Sequence, residues 1–435
     1  MSSLLVLRHA DSFRRELLGT FSPKIWTINI SGPPVRAIER LGDQRRRTFD
    51  HEFGHLLHYF TSYLGLLDLS YWLRCLRILT ERDPPDMTPE AAITERSRRL
   101  VAVAREKQIL SIDDDYYYEP HPWRYAEARL RMNEWIWKET TGGLFKTDAT
   151  ISDHRFWALR FCLGSLDDEA SFIRIPAGIR SFLEHMATCV DFLGEYSATA
   201  GAKRQGYMEQ VGLALYDPEL LHYHAFEHYV YSGIRKSNIV KTFHLPFVAC
   251  SQIVDLVTRV PYDVKEIWDL LRTAASTRGM SIESHMTHPH PSFVFPLLSA
   301  AALELPLSMG EWLDPGLYDD REERILDAVG LPSMSKLDLY RDQLLNRITS
   351  DLGPFDKKVR ALLGAVNEYA SSLSRAERVR TPTAKLKRCP VPIVFDNGEA
   401  LDGDILTAAA CQDLEWLRQR YYDMIQYPLV RDIVA

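Results

Sequence analysis

Two histidines and a glutamate stand at a spacing that suits metal chemistry: His51, Glu52 and His55. In a helix, side chains four positions apart stack on one face, so both imidazoles can reach one ion. Neutral imidazole is a preferred ligand of zinc. Glu52 lies about 100° further around the helix, beside the ion, where a base for a zinc-bound water is needed. The spacing therefore predicts a zinc (Zn²⁺) site in which His51 and His55 are ligands and Glu52 is catalytic.

The surroundings of the motif favour a buried helix. Leu56, Leu57 and Phe60 supply apolar contacts for a core, and a short strand candidate, Ile25–Ile30, precedes the helix. The competing interpretation is a pair of core or surface histidines with an incidental glutamate. Because HExxH in an apolar helix after a strand is rare by chance, we favour the metal site.

The segment H51-E52-F53-G54-H55 resembles the zincin metallopeptidases, specifically their gluzincin branch. The resemblance is secure over about residues 20–65. It implies a zinc-activated water that attacks a peptide carbonyl. It also implies that the strand before the helix, here Ile25–Ile30, pairs with the extended backbone of the substrate.

Gluzincins take their third zinc ligand from a glutamate on a later helix, and the resemblance implies such a residue here. The best candidate is Glu184, on a predicted amphipathic helix at about 176–196. Glu184 and Ala187 reproduce the E-x-x-A pattern of the family's glutamate helices. Three other glutamates remain open as alternatives: Glu134, Glu195 and Glu227.

A second histidine-rich helix follows near residue 224. In the family, a His or Tyr near the zinc polarises the scissile carbonyl, so Tyr223, His224 and His228 are candidates for this catalytic role. The alternative is a set of core histidines in an aromatic-rich helix. Three further histidines, His285, His288 and His290, lie beside prolines at 289 and 291; they predict a second metal site or a substrate-contacting loop, with a plain polar loop as the alternative.

Helical periodicity dominates the chain, at about 36–64, 88–109, 122–139, 155–164, 176–196, 218–234, 246–258, 335–351, 355–376 and 407–426. Besides Ile25–Ile30, the stretch PVPIVF near Ile393 is a strand candidate, which its prolines restrict to an edge or an extended loop. The predicted fold class is mainly α (α+β): a zincin-like catalytic core with a small N-terminal β-sheet and a large helical remainder. We expect a metallohydrolase region at 1–300 and a helical region of unknown function at 301–435.

Composition limits the functions that remain. The net charge of -7 gives no reason to expect nucleic acid as a partner. The N-terminal apolar run is too short for a signal peptide, and no run approaches the roughly 20 residues of a membrane span. Six cysteines without a CxxC pair suggest reduced thiols in a cytoplasmic protein.

Together these features predict a zinc-dependent metallopeptidase, a hydrolase whose partners are peptide or protein substrates, not nucleic acid or membranes. Residues 301–435 are a candidate surface for a protein partner. Two alternatives stay open: a helical interaction protein whose metal site is structural or decayed, and a zinc hydrolase that acts on a non-peptide substrate.

Overall fold

The computed structural model describes residues 19–110, 136–143, 155–162, 172–214, 221–236, 244–280, 291–350 and 356–434, and these are mainly helical. The α-helices are α1 Asp43–Thr61, α2 Tyr63–Thr80, α3 Pro89–Leu110, α4 Ile179–Ala198, α5 Gly201–Ala214, α6 Leu221–Lys236, α7 His244–Arg259, α8 Lys265–Thr277, α9 Val294–Glu304, α10 Met309–Leu313, α11 Tyr318–Val329, α12 Met334–Ser350, α13 Asp356–Ser371, α14 Arg375–Arg380 and α15 Ala408–Val434. The strands are β1 Gly19–Ser22, β2 Thr27–Ile30, β3 Ile136–Gly143, β4 Arg155–Cys162, β5 Phe172–Pro176, β6 Ile393–Phe395 and β7 Ala400–Leu401.

The described residues form two compact units. The motif unit, which contains the HExxH segment, comprises Leu18–Ile109, Tyr340–Ser374 and Pro382–Ala435. The central unit takes the middle of the chain, Leu110–Leu339, together with Arg375–Thr381. Each unit is therefore assembled from stretches that are distant in sequence, rather than divided at residue 300.

A four-stranded sheet in the motif unit has the order β1-β2-β6-β7. β1 pairs antiparallel with β2, β2 pairs parallel with β6, and β6 pairs antiparallel with β7. The small N-terminal sheet is thus confirmed, but its strand β2 begins at Thr27 instead of Ile25. Trp26 adopts a left-handed backbone with φ 54°, which ends the preceding turn and delays the strand.

The restriction of the PVPIVF stretch to an edge or a loop is wrong. β6 lies inside the sheet, between β2 and β7. Both prolines, Pro390 and Pro392, stand before the strand, so no donor within Ile393–Phe395 is lost to a proline ring. The Pro392 carbonyl accepts a hydrogen bond from the Ile28 backbone N–H at 3.1 Å.

The helix predicted at about 36–64 is shorter, and α2 follows it directly. Ser62 has extended backbone angles and separates the two helices. Its hydroxyl caps α2 by accepting a hydrogen bond from the Gly65 N–H at 3.0 Å. A side chain at position 65 would place Cβ 2.1 Å from the carbonyl oxygen of Tyr59, so only glycine fits this corner.

Helix α1 is buried along most of its length. Phe49 and Phe53 contact each other, and Phe53 meets Tyr369 of α13 edge-on with ring centroids 5.6 Å apart. On the α2 side, the Tyr59 hydroxyl donates a hydrogen bond to the buried Asp68 carboxylate at 2.8 Å. These contacts hold the motif helix between α2 and α13, in the core of the motif unit.

The central unit contains a three-stranded antiparallel sheet, ordered β3-β4-β5. The helix predicted at 155–164 is therefore wrong, because Arg155–Cys162 form β4, which pairs with both neighbours. The helix predicted at 122–139 is wrong over 136–139, which belong to β3; residues 122–135 lie outside the described part. The buried Trp157 and Leu159 stand two positions apart, as on one face of a strand, and pairing with distant strands selects the strand.

A buried ionic network links several helices of the central unit. Arg259 of α7 lies 3.6 Å from Asp338 of α12, and Arg375 of α14 hydrogen-bonds the carboxylate of Glu322 in α11. Burial raises the pKa of Glu322 to about 8. Arg259 and Arg375 oppose this shift, so the two arginines offset part of the cost of burying the Glu322 carboxyl.

Two further observations concern the fold as a whole. Across the described part of the chain, no helix combines the length and the apolar character needed to cross a membrane. Five cysteines have described side chains, and each is a buried free thiol: Cys75, Cys189, Cys250, Cys389 and Cys411.

Candidate metal site in the HExxH helix

Helix α1 brings the two motif histidines together. The Nε2 atoms of His51 and His55 lie 3.2 Å apart, and the two rings meet edge-on with centroids 4.9 Å apart. Two nitrogens bound to one tetrahedral zinc ion at about 2.0–2.1 Å would be about 3.3 Å apart. The two imidazoles therefore fit one zinc ion with little change in position. His55 is buried and His51 is half-buried.

Glu52 occupies the same turn of α1 and is only 4% exposed. Strand β1 runs directly against it. A Cβ added to Gly19 would lie 3.3 Å from Cγ of Glu52 and 2.5 Å from the Thr48 side chain. Glycine at position 19 thus lets the β1 backbone approach the helix at the motif. This contact was not predicted from the sequence, although a glycine within a strand is a signal for the close approach of a neighbouring group.

The half-buried Asp50, next to His51, anchors α1 to a distant part of the motif unit. Its Oδ1 accepts a hydrogen bond from the Thr383 hydroxyl at 2.6 Å and lies 3.2 Å from Nε of Arg46. Arg46 in turn donates to the Thr383 hydroxyl at 3.1 Å. This triangle fixes the start of the motif turn. Nothing in the local sequence pointed to Thr383, which is 333 positions from Asp50.

The expected pairing of Ile25–Ile30 with a substrate backbone is contradicted. Strand β2 has β1 on one side and β6 on the other, so both of its hydrogen-bonding edges are occupied. β1 is the outer strand on the motif side, and no described residue pairs with its second edge. If a substrate pairs with this sheet beside Glu52, β1 offers the edge.

The candidate third ligands lie elsewhere in the chain. Glu184 is half-buried on α4 of the central unit, where the predicted helix at 176–196 is confirmed. Its part in the zinc site stays a prediction. Glu195 lies near the end of α4, and Glu134 falls outside the described residues. Glu227 has a different neighbour, because its carboxylate lies 3.0 Å from the imidazole of His185.

Helix α6 carries the three residues proposed to polarise the carbonyl, Tyr223, His224 and His228. His224 is buried and His228 half-buried. Burial lowers the pKa of His224 to about 4, so this imidazole is neutral at pH 7. Their catalytic role stays a prediction. The histidine cluster at 285–290 lies outside the described residues.

Comparisons with protein-family models, with curated proteins and with solved structures found no match to this chain.

Proposed function

We propose that this protein is a zinc-dependent metallopeptidase. The observation that carries the proposal is the 3.2 Å separation of the Nε2 atoms of His51 and His55, with Glu52 buried in the same helical turn. Two nitrogen donors at this distance suit one zinc ion. A buried carboxylate beside the ion suits proton transfer at a site from which bulk water is excluded.

Each motif residue has a distinct role in the proposed reaction. His51 and His55 hold the ion, and the resemblance to gluzincins assigns Glu184 as the third ligand. Zinc bound there would supply a water of lowered pKa, near 7, and would polarise the scissile carbonyl. Glu52 takes the proton of the attacking water and returns it to the leaving amine nitrogen.

We further propose that an extended peptide pairs with the outer edge of β1. Gly19 brings this strand into contact with Glu52, so a backbone paired there runs alongside the catalytic carboxylate. Main-chain hydrogen bonds to a strand edge bind peptides without selecting their side chains. This arrangement predicts a preference for extended peptides over small esters.

The proposal is tested by zinc analysis and peptide hydrolysis on the wild type, His51→Ala and Glu52→Gln. The first variant should lose the zinc of this site, because one of its two nitrogen donors is gone. The second should keep zinc and lose hydrolysis of a mixed peptide library by roughly 10²–10⁴-fold, the usual contribution of a positioned base. Asp50→Asn is a matched control: it changes a neighbouring carboxylate, which contacts Thr383, and should keep both zinc and hydrolysis.

Three outcomes would contradict this function. Wild-type protein that binds no zinc after purification without chelators removes its basis. Glu52→Gln with undiminished hydrolysis refutes the proposed base, and zinc without any hydrolysis favours a structural or decayed site. The third ligand has its own test: Glu184→Ala should weaken zinc binding by roughly tenfold or more, whereas Glu195→Ala should not.

A further inference from the structure

The core of the central unit contains a second group of donors, at the junction of α4, α6 and α7. His185 and Cys189 stand one turn apart on α4, and Glu227 comes from α6. His185 and Cys189 are fully buried, and Glu227 is 2% exposed. This group was not predicted from the sequence. The HxxxC spacing on α4 is a local sequence signal for part of this group. No local signal indicates that Glu227 of α6 joins it.

The donor atoms converge on a small volume. The imidazole Nε2 of His185 lies 3.2 Å from Sγ of Cys189, and its Nδ1 lies 3.0 Å from Oε2 of Glu227. One donor atom from each of the three residues lies within 4.8 Å of the other two. A thiolate and an imidazole nitrogen on one tetrahedral zinc ion would be about 3.5 Å apart. The pair on α4 is therefore already near the spacing of bound ligands.

Among the described ion pairs, the Glu227 carboxylate has no arginine partner of the kind that Glu322 has. Arg375 and Arg259 both lower the energy of the charged Glu322. By contrast, neither carboxylate oxygen of Glu227 has a hydrogen-bond partner among the described residues, and its 3.0 Å contact with His185 lacks hydrogen-bond geometry. A buried polar group without a partner is costly, so this cluster is short of a positive group.

The walls of the cluster are aromatic. Phe226 meets the His185 ring edge-on at 5.7 Å between centroids and stacks on Phe182 at 5.1 Å. These phenyl rings offer no hydrogen-bond donor to the unpaired carboxylate oxygens. A low-polarity shell also strengthens the attraction between a cation and its ligands.

We propose that His185, Cys189 and Glu227 bind a second metal ion, of the zinc class, which has a structural role. Nitrogen, sulfur and oxygen donors together suit zinc, whereas magnesium and calcium take oxygen ligands. One divalent ion neutralises the thiolate and the carboxylate together. Complete burial leaves no path for a substrate, so the ion joins α4 to α6. This inference goes beyond the proposed peptidase and does not depend on it.

A catalytic Glu–His–Cys relay explains the same geometry less well. A nucleophilic cysteine needs an accessible thiolate, whereas Cys189 is fully buried. Burial also raises the pKa of its thiol well above the usual range, with Glu227 adding to the shift. Two neighbours complete the surroundings: His224, whose Nδ1 has no described hydrogen-bond partner, and the buried Cys250 of α7.

Cobalt(II) substitution tests the site through a signal that the HExxH motif cannot produce. Protein freed of metal and titrated with cobalt should develop near-ultraviolet absorption from charge transfer between thiolate sulfur and cobalt. The band should disappear in Cys189→Ser and persist in Cys411→Ser, a matched change of a buried thiol in the motif unit. It should also persist in Cys250→Ser. Absence of the band in the wild type, or its survival in Cys189→Ser, overturns the inference.

Zinc counting separates the two sites. The double variant His51→Ala/His55→Ala should retain a single tightly held zinc ion per chain, which a further Cys189→Ser or Glu227→Gln change releases. Glu227→Gln keeps the volume of the side chain and so guards against a general folding defect. If the double variant keeps its zinc after either Cys189→Ser or Glu227→Gln is added, the second site is refuted. If the wild type showed the thiolate–cobalt band but bound no zinc at His51 and His55, the proposed peptidase would be refuted and the second site would stand.

Discussion

The glycine at the corner between α1 and α2 offers a sharp test of how the motif helix is held. Replacing Gly65 by alanine would place Cβ 2.1 Å from the Tyr59 carbonyl oxygen and 2.7 Å from its carbonyl carbon. An ordinary carbon–oxygen contact is longer by about 1 Å. Because both partners are backbone atoms, no side-chain rotation relieves the overlap, and the corner must open.

Two opposing effects decide the magnitude. Alanine is favoured over glycine in a helix by about 1 kcal/mol. Overpacking against a fixed backbone costs about 1–3 kcal/mol, and opening the corner disturbs the Ser62 cap, worth about another 1 kcal/mol. We therefore expect Gly65→Ala to lower the free energy of unfolding by about 1–3 kcal/mol.

The matched control is Gly364→Ala, in α13 of the same unit. A Cβ at this exposed position meets no atom within 4 Å, so only the helix-propensity gain remains. This variant should raise the free energy of unfolding by about 0.5–1 kcal/mol. Urea titrations followed by tryptophan fluorescence, with the midpoint and slope recorded for each protein, measure both effects.

Opposite signs for the same substitution would support the close approach at the corner. If Gly65→Ala stabilised the protein as much as Gly364→Ala does, the reasoning about the corner would be refuted. If both variants lost stability, the gain in helix propensity expected at Gly364 would be contradicted.

Three further changes test the packing around the two sites. Tyr59→Phe removes the buried hydrogen bond to Asp68 and should cost about 1.5–3 kcal/mol in urea unfolding; an unchanged midpoint would contradict the contact. Thr383→Val should cost about 1 kcal/mol while zinc binding persists, and equal stability of the variant would argue against the tie to Asp50. Burial lowers the pKa of His224 to about 4, whereas the same group in the unfolded chain has a pKa near 6.5. As the pH falls, the unfolded chain therefore takes up this proton first. The neutral imidazole of His224 therefore contributes to the free energy of unfolding above pH 6.5. This contribution is lost as the pH falls towards 4, by about 2 kcal/mol between pH 7 and pH 5. Unfolding measured at both values should show this loss in the wild type and not in His224→Asn; equal losses would contradict it.

Local patterns determined the helices that carry the candidate chemistry. The HExxH helix and the helix of Glu184 were predicted, because a period of 3.6 and a spacing of four residues are properties of a few consecutive turns. The helix boundary at Ser62 was not predicted. It depends on how closely the Tyr59 carbonyl approaches Gly65, which a hydrophobic pattern does not record.

The sheets and the clusters were decided by tertiary structure. Whether β2 has a free edge depends on β6, some 365 residues away, and whether Arg155–Cys162 is helix or strand depends on its neighbours. Likewise, Glu227 meets His185 only because α6 packs against α4. The sequence by itself therefore determined that His51 and His55 lie side by side, because their spacing lies within one helix. Strand neighbours and the second donor cluster required contacts between distant segments, whose pairing no local periodicity specifies.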